Sequence, residues 1–321
     1  MDRREVRELL ARNGFSVQEV VPIVGGYAAQ LFRVTLAQGE RAVYKHFAEG
    51  RAEEVGLYER IIPQLSQTVP RLLGVVREQG QAVGMLIEEA GAPLKQAYRQ
   101  RPLLEKKSLL RATLDLLADL HVQLAEVSAV WVGEGITAVY PYASSEAWAR
   151  EGLVQVEQGM AAGIRGLEER VLLELHDIAA RFYERYPAWT AGATTFTHGD
   201  PHLENILLQD GRMRLIDWEW ACVAIPQRDV AVLLQDVLEE ELYEWAYGYY
   251  RTGMTLRGWH DVGESFEVGY RATTLDNTLM MLGWEIGKHL NGHLTKAEIE
   301  YIVDIKVARI RTNWMWLKDK G

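Results

Sequence analysis

The sequence predicts an α+β protein with a small β-rich part over residues 1–90 and a larger, mainly helical part over residues 91–321. Short β-branched runs separated by glycine turns fill the first part, and long stretches with helical periodicity fill the second. A length of 321 residues is also that of about two domains. The composition, 48% hydrophobic and 25% charged, is ordinary for a folded protein and excludes a disordered or collagen-like chain.

The first part is predicted to hold a helix, three strands, a second helix and two more strands. The helices cover residues 3–12 and 51–62, and the strands cover residues 17–24, 31–36, 41–47, 72–77 and 82–88. The glycine pairs and Gln-Gly steps between these runs are turn signals.

The second part opens with a long amphipathic helix over residues 103–127, in which leucines recur on one face. Helical segments over residues 146–159 and 167–186 follow, and residues 194–216 interrupt them with β character. From residue 229 to residue 318 the chain is again predicted to be mostly helical.

Charge and composition exclude several kinds of partner. The net charge of −10 argues against a protein that binds nucleic acid through phosphate contacts. No apolar run approaches the roughly 18 residues of a membrane span, and the first residues lack the apolar core of a signal peptide. The single cysteine, Cys222, excludes an internal disulfide framework and favours a reducing compartment. We therefore expect a cytoplasmic protein.

One segment carries the chemistry. Ile206-Leu207-Leu208 and Met213-Arg214-Leu215-Ile216 are short apolar runs joined by an Asp-Gly step, which is a strong hairpin signal. Folding there places residue 206 roughly opposite residue 216. Asn205 precedes the first strand, Asp217 follows the second, and Asp200 lies five residues upstream. We expect these three side chains to converge at the open end of the hairpin.

Carboxylate and amide oxygens are the ligands that Mg²⁺ prefers, and Mg²⁺ takes only one or two of them from a protein when phosphates and water supply the rest. A further carboxylate that positions an attacking hydroxyl completes the arrangement used for phosphoryl transfer. The alternative interpretation is an ordinary turn, in which Asp, Asn and Gly have their usual roles.

These residues resemble the aminoglycoside phosphotransferase and choline kinase family, whose fold is similar to that of protein kinases. The resemblance is carried by His198-Gly199-Asp200, Asn205 and Ile216-Asp217-Trp218-Glu219, and it extends to the helix-opening Asp229. It implies a two-lobed protein-kinase-like fold, with a nucleotide-binding lobe over 1–90 and a catalytic and acceptor-binding lobe over 91–321. It also implies that Asp200 is the catalytic base, that Asn205 and Asp217 bind Mg²⁺, and that Asp229 is structural.

The same resemblance requires a glycine turn, a strand lysine and a helix glutamate in the first lobe. Gly25 and Gly26 lie between the first two strands, and Ala29 departs from the polar residue that is common there in the family. Lys45, the only lysine before residue 90, lies on the third strand. Burying its ammonium is costly without a partner, which ATP phosphates and a carboxylate would supply. Glu54 fits best as that carboxylate, with Glu53 as the alternative.

The predicted hinge covers residues 85–91, where the family binds adenine through backbone groups. Glu88 and Glu89 lie in it. Ile23, Ala42 and Ile216 could line the adenine site, although a role as a core residue is the favoured interpretation for any one of them.

Other chemically capable residues point less clearly to a role. We interpret His198 as a residue that braces the loop and His121 as a core or helix-end group, and His202 has no assigned role. The C-terminal region is rich in Trp and Tyr, which could bind an ammonium group but are also good core residues. It also carries an acidic stretch formed by Asp236, Glu239, Glu240, Glu241 and Glu244.

The predicted function is that of an ATP- and Mg²⁺-dependent phosphotransferase that acts on a hydroxyl group of a small molecule. An aminoglycoside-like, choline-like or sugar acceptor would fit. Residues 1–90 carry a net charge of −1 and the rest of the chain −9, so we expect the acceptor to be neutral or cationic. The alternatives are a non-catalytic kinase-like protein, such as bacterial spore-coat proteins of this family, and a protein kinase. The sequence leaves the acceptor and the oligomeric state open.

Overall fold

The computed structural model describes residues 1–23, 29–48, 52–65 and 68–320. The chain forms two compact units. The first unit holds Met1–Arg101 together with Leu203–Trp220, and the second holds Pro102–His202 together with Ala221–Gly321. This division into compact units differs from the boundary predicted at residue 90. Strand pairing explains the difference, because a short strand just after residue 91 pairs with the hairpin at 206–215 and draws both segments into the first unit.

The described residues form ten α-helices and ten strands. The helices are α1 (Arg3–Arg12), α2 (Glu53–Arg60), α3 (Leu94–Arg99), α4 (Leu103–Gly133), α5 (Ser145–Ala161), α6 (Glu169–Trp189), α7 (Gln227–Leu234), α8 (Glu240–Leu256), α9 (Glu264–Leu290) and α10 (Lys296–Leu317). The strands are β1 (Val17–Ile23), β2 (Ala29–Leu36), β3 (Arg41–Phe47), β4 (Leu72–Glu78), β5 (Gln81–Glu88), β6 (Ala92–Pro93), β7 (Thr195–Thr197), β8 (Ile206–Gln209), β9 (Arg212–Leu215) and β10 (Cys222–Ala224). The long elements predicted from the sequence are present, most of them within three residues of their predicted bounds, whereas α4 extends six residues past the predicted end at residue 127.

The main sheet of the first unit is antiparallel, in the order β1-β2-β3-β5-β4. Successive side chains of a strand point to opposite faces, so each strand divides its residues between two surfaces. One face packs against α1, where Val6, Leu9 and Leu10 join Phe32 and Tyr44 in a buried apolar cluster. Lys45 alternates with Tyr44 along β3 and therefore lies on the other face.

The hairpin that carries Asn205 and Asp217 is built from β8 and β9. Gln209 pairs with Arg212, so the connection is the two-residue turn Asp210-Gly211. Both turn residues have positive φ, 51° and 77°, as a type I′ hairpin turn requires. Ile206 opposes Leu215, one residue away from the predicted register.

The second unit is mainly helical, and its core forms where α5, α6, α9 and α10 pack together, around residues such as Phe182, Leu279 and Ile310. The strand β7 pairs with β10, which places Thr197 opposite Cys222. Helix α4 is long and apolar enough to cross a membrane by length and composition alone. Its leucines at 110, 114, 117, 120 and 124 are buried inside this unit, as in the core helix of a folded domain.

Candidate active site

Lys45 and Glu54 form an ion pair within the first unit. Lys45 lies on β3 and Glu54 lies on α2, and Lys45 Nζ is 2.5 Å from Glu54 Oε2. The Glu54 carboxylate is 1% exposed and the Lys45 side chain 12% exposed. Glu53 is exposed, so the partner of Lys45 is the residue that the sequence favoured, and the alternative Glu53 does not fill this place.

Asp217 is the second partner of Lys45. Its Oδ1 accepts a hydrogen bond from Lys45 Nζ, and its side chain is 39% exposed. Asp217 has a φ of 67°, a left-handed conformation that Asp tolerates better than most residues. The next backbone N–H, that of Trp218, donates to Glu54 Oε1 at 2.9 Å. Glu54 therefore holds both the lysine and the chain that presents Asp217.

The pKa directions in this cluster follow from burial and charge. Burial would lower the pKa of Lys45, but the carboxylates of Glu54 and Asp217 more than compensate and raise it above its ordinary value. Burial raises the pKa of Glu54, against the pull of the Lys45 ammonium. Lys45 therefore keeps its positive charge.

Asn205 and Asp217 flank the open end of the hairpin. The backbone N–H of Ile216 donates to the carbonyl of Asn205 at 3.0 Å, which closes this end and places Asp217 one residue beyond it. Asn205 is 7% exposed. Among the described residues, no group of three or more His, Cys, Asp or Glu side chains could bind a metal together. One carboxylate and one amide oxygen nevertheless fit Mg²⁺, which takes few ligands from protein when phosphates are present.

Asp200 lies in the second unit, in the loop that follows β7. Its backbone N–H donates to His198 Nδ1 at 3.2 Å, and its carboxylate lies 3.5 Å from His202 Nε2. The side chain is 33% exposed, whereas His198 is fully buried. His198 thus braces the loop, as the sequence suggested. The convergence of Asp200 with Asn205 and Asp217 remains a prediction.

The carboxylate of Asp229 binds the backbone of this loop. Its Oδ2 accepts the N–H of His198 at 2.7 Å, and its Oδ1 accepts the N–H of Gly199 at 2.9 Å. Burial would raise the pKa of Asp229, but the hydrogen bond from His121 and the charges nearby keep that pKa below its ordinary value. The structural role expected for Asp229 is thus filled by specific contacts.

His121 is a member of the same buried cluster. It is fully buried, with Nε2 3.1 Å from Asp229 and Nδ1 2.7 Å from the hydroxyl of Tyr250. The sequence predicted a core histidine but missed its partner. The only available signal was that His121 is a polar residue on the leucine face of α4. Its pairing with Asp229 could not be predicted, because 108 residues separate the two in the chain.

Glu88 and Glu89 are occupied by contacts within the first unit. The backbone N–H of Glu88 donates to the backbone carbonyl of Arg71, and the backbone N–H of Glu89 donates to the backbone carbonyl of Arg41. The Glu89 carboxylate pairs with Arg33 at 2.5 Å, beside a cavity of about 580 Å³ that Glu88 also lines. The N–H groups of Glu88 and Glu89 are therefore already bonded within the first unit. The predicted adenine contacts of residues 85–91, through backbone N–H and C=O groups, remain a prediction.

For Ala42 the structure favours the core alternative over the adenine wall. Ala42 is fully buried in the cluster against α1, on the face of the sheet opposite Lys45. Val43, the next residue, lies on the same face of the sheet as Lys45. Ile23 lies on that face too, because it is opposite Leu31 on β2, and Leu31 is opposite Lys45 on β3. Gly25 and Gly26 lie outside the described residues.

A β-sheet unit that carries a buried Lys–Glu pair, followed by a mainly helical unit, defines the protein-kinase-like class of phosphotransferases. The chain belongs to the phosphotransferase enzyme family, whose model matches residues 19–264. The family expected from the sequence is confirmed, and so is the two-lobed fold class.

Solved structures of several phosphotransferases are similar to the chain over nearly its whole length. A spectinomycin phosphotransferase in complex with ADP and spectinomycin is 15% identical, with a TM-score of 0.66 and coverage of 96% of this chain and 98% of that one. Choline kinase from Cryptosporidium parvum is 14% identical, with a TM-score of 0.61 and coverage of 99% and 97%. A macrolide 2'-phosphotransferase from Brachybacterium faecium is 17% identical, with a TM-score of 0.55 and coverage of 100% and 99%. A search of curated proteins gave no significant match.

Proposed function

We propose that the protein transfers the γ-phosphoryl group of ATP to a hydroxyl group of a small molecule. The observation that carries the proposal is the linkage of Lys45, Glu54 and Asp217, in which a buried glutamate fixes a charged lysine beside a half-exposed aspartate. A cation held in this way suits the α- and β-phosphates of a nucleotide.

In the proposed reaction, the hydroxyl oxygen of the acceptor forms a bond to the γ-phosphorus of ATP. Asp200 accepts the proton that this hydroxyl group loses. The bond between that phosphorus and the β–γ bridging oxygen breaks, and ADP leaves. Asn205 and Asp217 would hold Mg²⁺, which supplies positive charge against the charge that develops on the phosphoryl oxygens. Lys45 binds the α- and β-phosphates and so orients the leaving group.

For the acceptor we propose only a chemical class, a small molecule with a hydroxyl group. Structures similar to this one are named for aminoglycoside, macrolide and spectinomycin phosphotransferases and for choline and ethanolamine kinases. Those names span antibiotics and amino alcohols, and all of these are small molecules with a hydroxyl group. We also propose a cytoplasmic location, because the single cysteine, Cys222, is buried and unpaired.

The test is a nucleotide-consumption screen against hydroxylated metabolites and antibiotics, with ATP and GTP as alternative donors. Asp200→Asn should abolish transfer and leave nucleotide binding nearly intact, because an amide does not accept the proton. Asp177→Asn, an exposed helix position, is the control and should behave as wild type. Near-normal turnover by Asp200→Asn would remove Asp200 from the reaction.

The competing function is that of a non-catalytic kinase-like protein. Titration calorimetry with Mg²⁺ and each nucleotide distinguishes the two. Absence of binding to both ATP and GTP would favour the non-catalytic protein and overturn the proposed transfer.

A further inference from the structure

Gly199, the residue before Asp200, has its backbone held on both sides by two consecutive residues. Its N–H donates to Asp229 Oδ1 at 2.9 Å, and its carbonyl accepts a hydrogen bond from Arg228 Nη1 at 2.9 Å. Gly199 has a φ of 86°, a left-handed conformation that glycine adopts freely. A glycine has many accessible backbone conformations. The orientation of the backbone that carries Asp200 therefore depends on these two hydrogen bonds.

The guanidinium of Arg228 is itself fixed by an aromatic ring. Its central carbon lies 3.9 Å from the centroid of the Tyr140 ring, a cation–π distance. Tyr140 is 4% exposed, and its hydroxyl shares a hydrogen bond with Ser145 at 3.0 Å. A planar guanidinium stacks flat on a ring and donates along its edge at the same time, whereas a compact ammonium group has no plane to stack. The site therefore suits arginine better than lysine.

We propose that Arg228 is a positioning residue for Asp200: by holding the Gly199 carbonyl, it fixes the backbone that presents the proposed base to the acceptor hydroxyl. This inference rests on the proposed function for its catalytic part. Its structural part, the restraint of the loop, stands on the contacts alone. A displacement of about 1 Å in a reacting group can cost about 100-fold in rate, so loss of this restraint acts on turnover.

The test compares Arg228→Lys with Arg185→Lys. Arg185 is a matched control, because its guanidinium also stacks on a ring, that of Trp189 at 4.9 Å, and donates to a backbone carbonyl, that of Lys318 at 3.1 Å. Arg228→Lys should lower kcat by about 10- to 100-fold and change the KM for the nucleotide little. Arg185→Lys should change neither quantity.

Hydrogen exchange gives a second readout that does not need activity. The peptide that covers residues 196–203 should exchange faster in Arg228→Lys than in wild type, and at the wild-type rate in Arg185→Lys. Unchanged exchange together with unchanged kcat in Arg228→Lys would overturn the proposal. Faster exchange in this variant, combined with a wild-type protein that transfers no phosphoryl group to any acceptor, would support the restraint and contradict the proposed function.

Tyr140 provides variants for the case in which Arg228→Lys does not fold. Tyr140→Leu removes the ring on which the guanidinium stacks, and it should speed exchange over residues 196–203 and lower kcat in the same direction. Tyr140→Phe keeps the ring and should restore both towards wild type. Equal behaviour of these two variants would contradict a role for the stacking in fixing Arg228.

Discussion

Glu54 accepts a hydrogen bond from the backbone N–H of Trp218 at 2.9 Å, although 164 residues separate the two in the chain. The other oxygen of the same carboxylate pairs with Lys45. Glu54 is therefore the side chain through which α2 controls both the lysine and the segment that carries Asp217.

Glu54→Gln should weaken nucleotide binding, lower kcat and destabilise the first unit. The change removes one of the two carboxylate partners of Lys45. Because Asp217 still pairs with the ammonium, the cost in the free energy of unfolding should be smaller than the about 3–5 kcal/mol that is typical when a buried charge loses its only partner. Glu53→Gln, one residue earlier and exposed, is the control and should change little. The measurements are nucleotide titration and urea unfolding of both variants.

The Lys45–Glu54 coupling can be measured with a double-mutant cycle. Adding Lys45→Met to Glu54→Gln removes both charges, and residues in contact show coupling of about 0.5–3 kcal/mol. Strict additivity of the two substitutions would show that Lys45 gains its stability from Asp217 rather than from Glu54.

Much of this arrangement could be predicted from the sequence, because its signals are local. The Asp-Gly step fixed the hairpin, and the positions of Asn205 and Asp217 followed from it. The apolar strand around Lys45 showed that its ammonium needed a partner. Long-range pairs such as Glu54–Trp218 could not be predicted, since backbone N–H groups leave no trace in the sequence.

The sequence left two interpretations of Ala42 open for a different reason. Ala42, Val43 and Tyr44 of β3 are all compatible with a core, so hydrophobicity alone does not say which alternate set of side chains faces α1. Counting in steps of two from Lys45 would have selected Val43, because strand side chains alternate. The N–H groups of Glu88 and Glu89 also belong to the backbone, so their bonding partners could not be predicted from the sequence either.

Asp217→Asn should make nucleotide binding independent of Mg²⁺, and it should also abolish turnover. Asparagine tolerates the left-handed backbone of this position, so the fold should survive while the carboxylate charge is lost. Asp210→Asn is the matched control, since Asp210 lies in the turn of the same hairpin with a φ of 51°. The measurement is a nucleotide titration with and without Mg²⁺. If Asp217→Asn keeps the wild-type response to Mg²⁺, Asp217 is not a ligand.

Asp276 should make the stability of the second unit depend on pH. It is 3% exposed, and its carboxylate accepts hydrogen bonds from Tyr183 at 2.6 Å and Tyr186 at 2.9 Å. Burial raises its pKa from 3.8 to about 6, although the two hydrogen bonds oppose the rise. In the folded protein Asp276 therefore holds its proton at a pH where the unfolded chain has lost it.

The sign follows from proton linkage. Because the folded pKa is the higher one, the contribution of Asp276 to stability is complete below about pH 4 and is lost as the pH rises through about 6. Two pKa units correspond to roughly 3 kcal/mol. The stability of wild type relative to Asp276→Asn should therefore increase between pH 7.5 and pH 5 in urea unfolding. Asp177→Asn should keep the wild-type pH dependence. A pH-independent difference between wild type and Asp276→Asn would show that Asp276 does not titrate in this range.

The acidic stretch near the start of α8 motivates the last prediction, that the acceptor is neutral or cationic. The structure gives part of this stretch a local partner, since Glu239 pairs with Lys106 at 2.5 Å and Glu240 lies 3.6 Å from Arg309. Glu241 and Glu244 are exposed, so they are the better source of a field that reaches an incoming ligand.

The double substitution Glu241→Gln/Glu244→Gln should raise the KM for a cationic acceptor such as an amino alcohol and leave the KM for a neutral sugar and for the nucleotide unchanged. Glu168→Gln/Glu169→Gln makes the same change in net charge at exposed positions around the start of α6 and serves as the control. Salt screens such attraction over about 8 Å at physiological ionic strength, so the wild-type KM for the cation should rise with added salt. An anionic compound as the best acceptor in the screen would contradict this prediction, because it would have to overcome repulsion from both the acidic residues and the nucleotide phosphates.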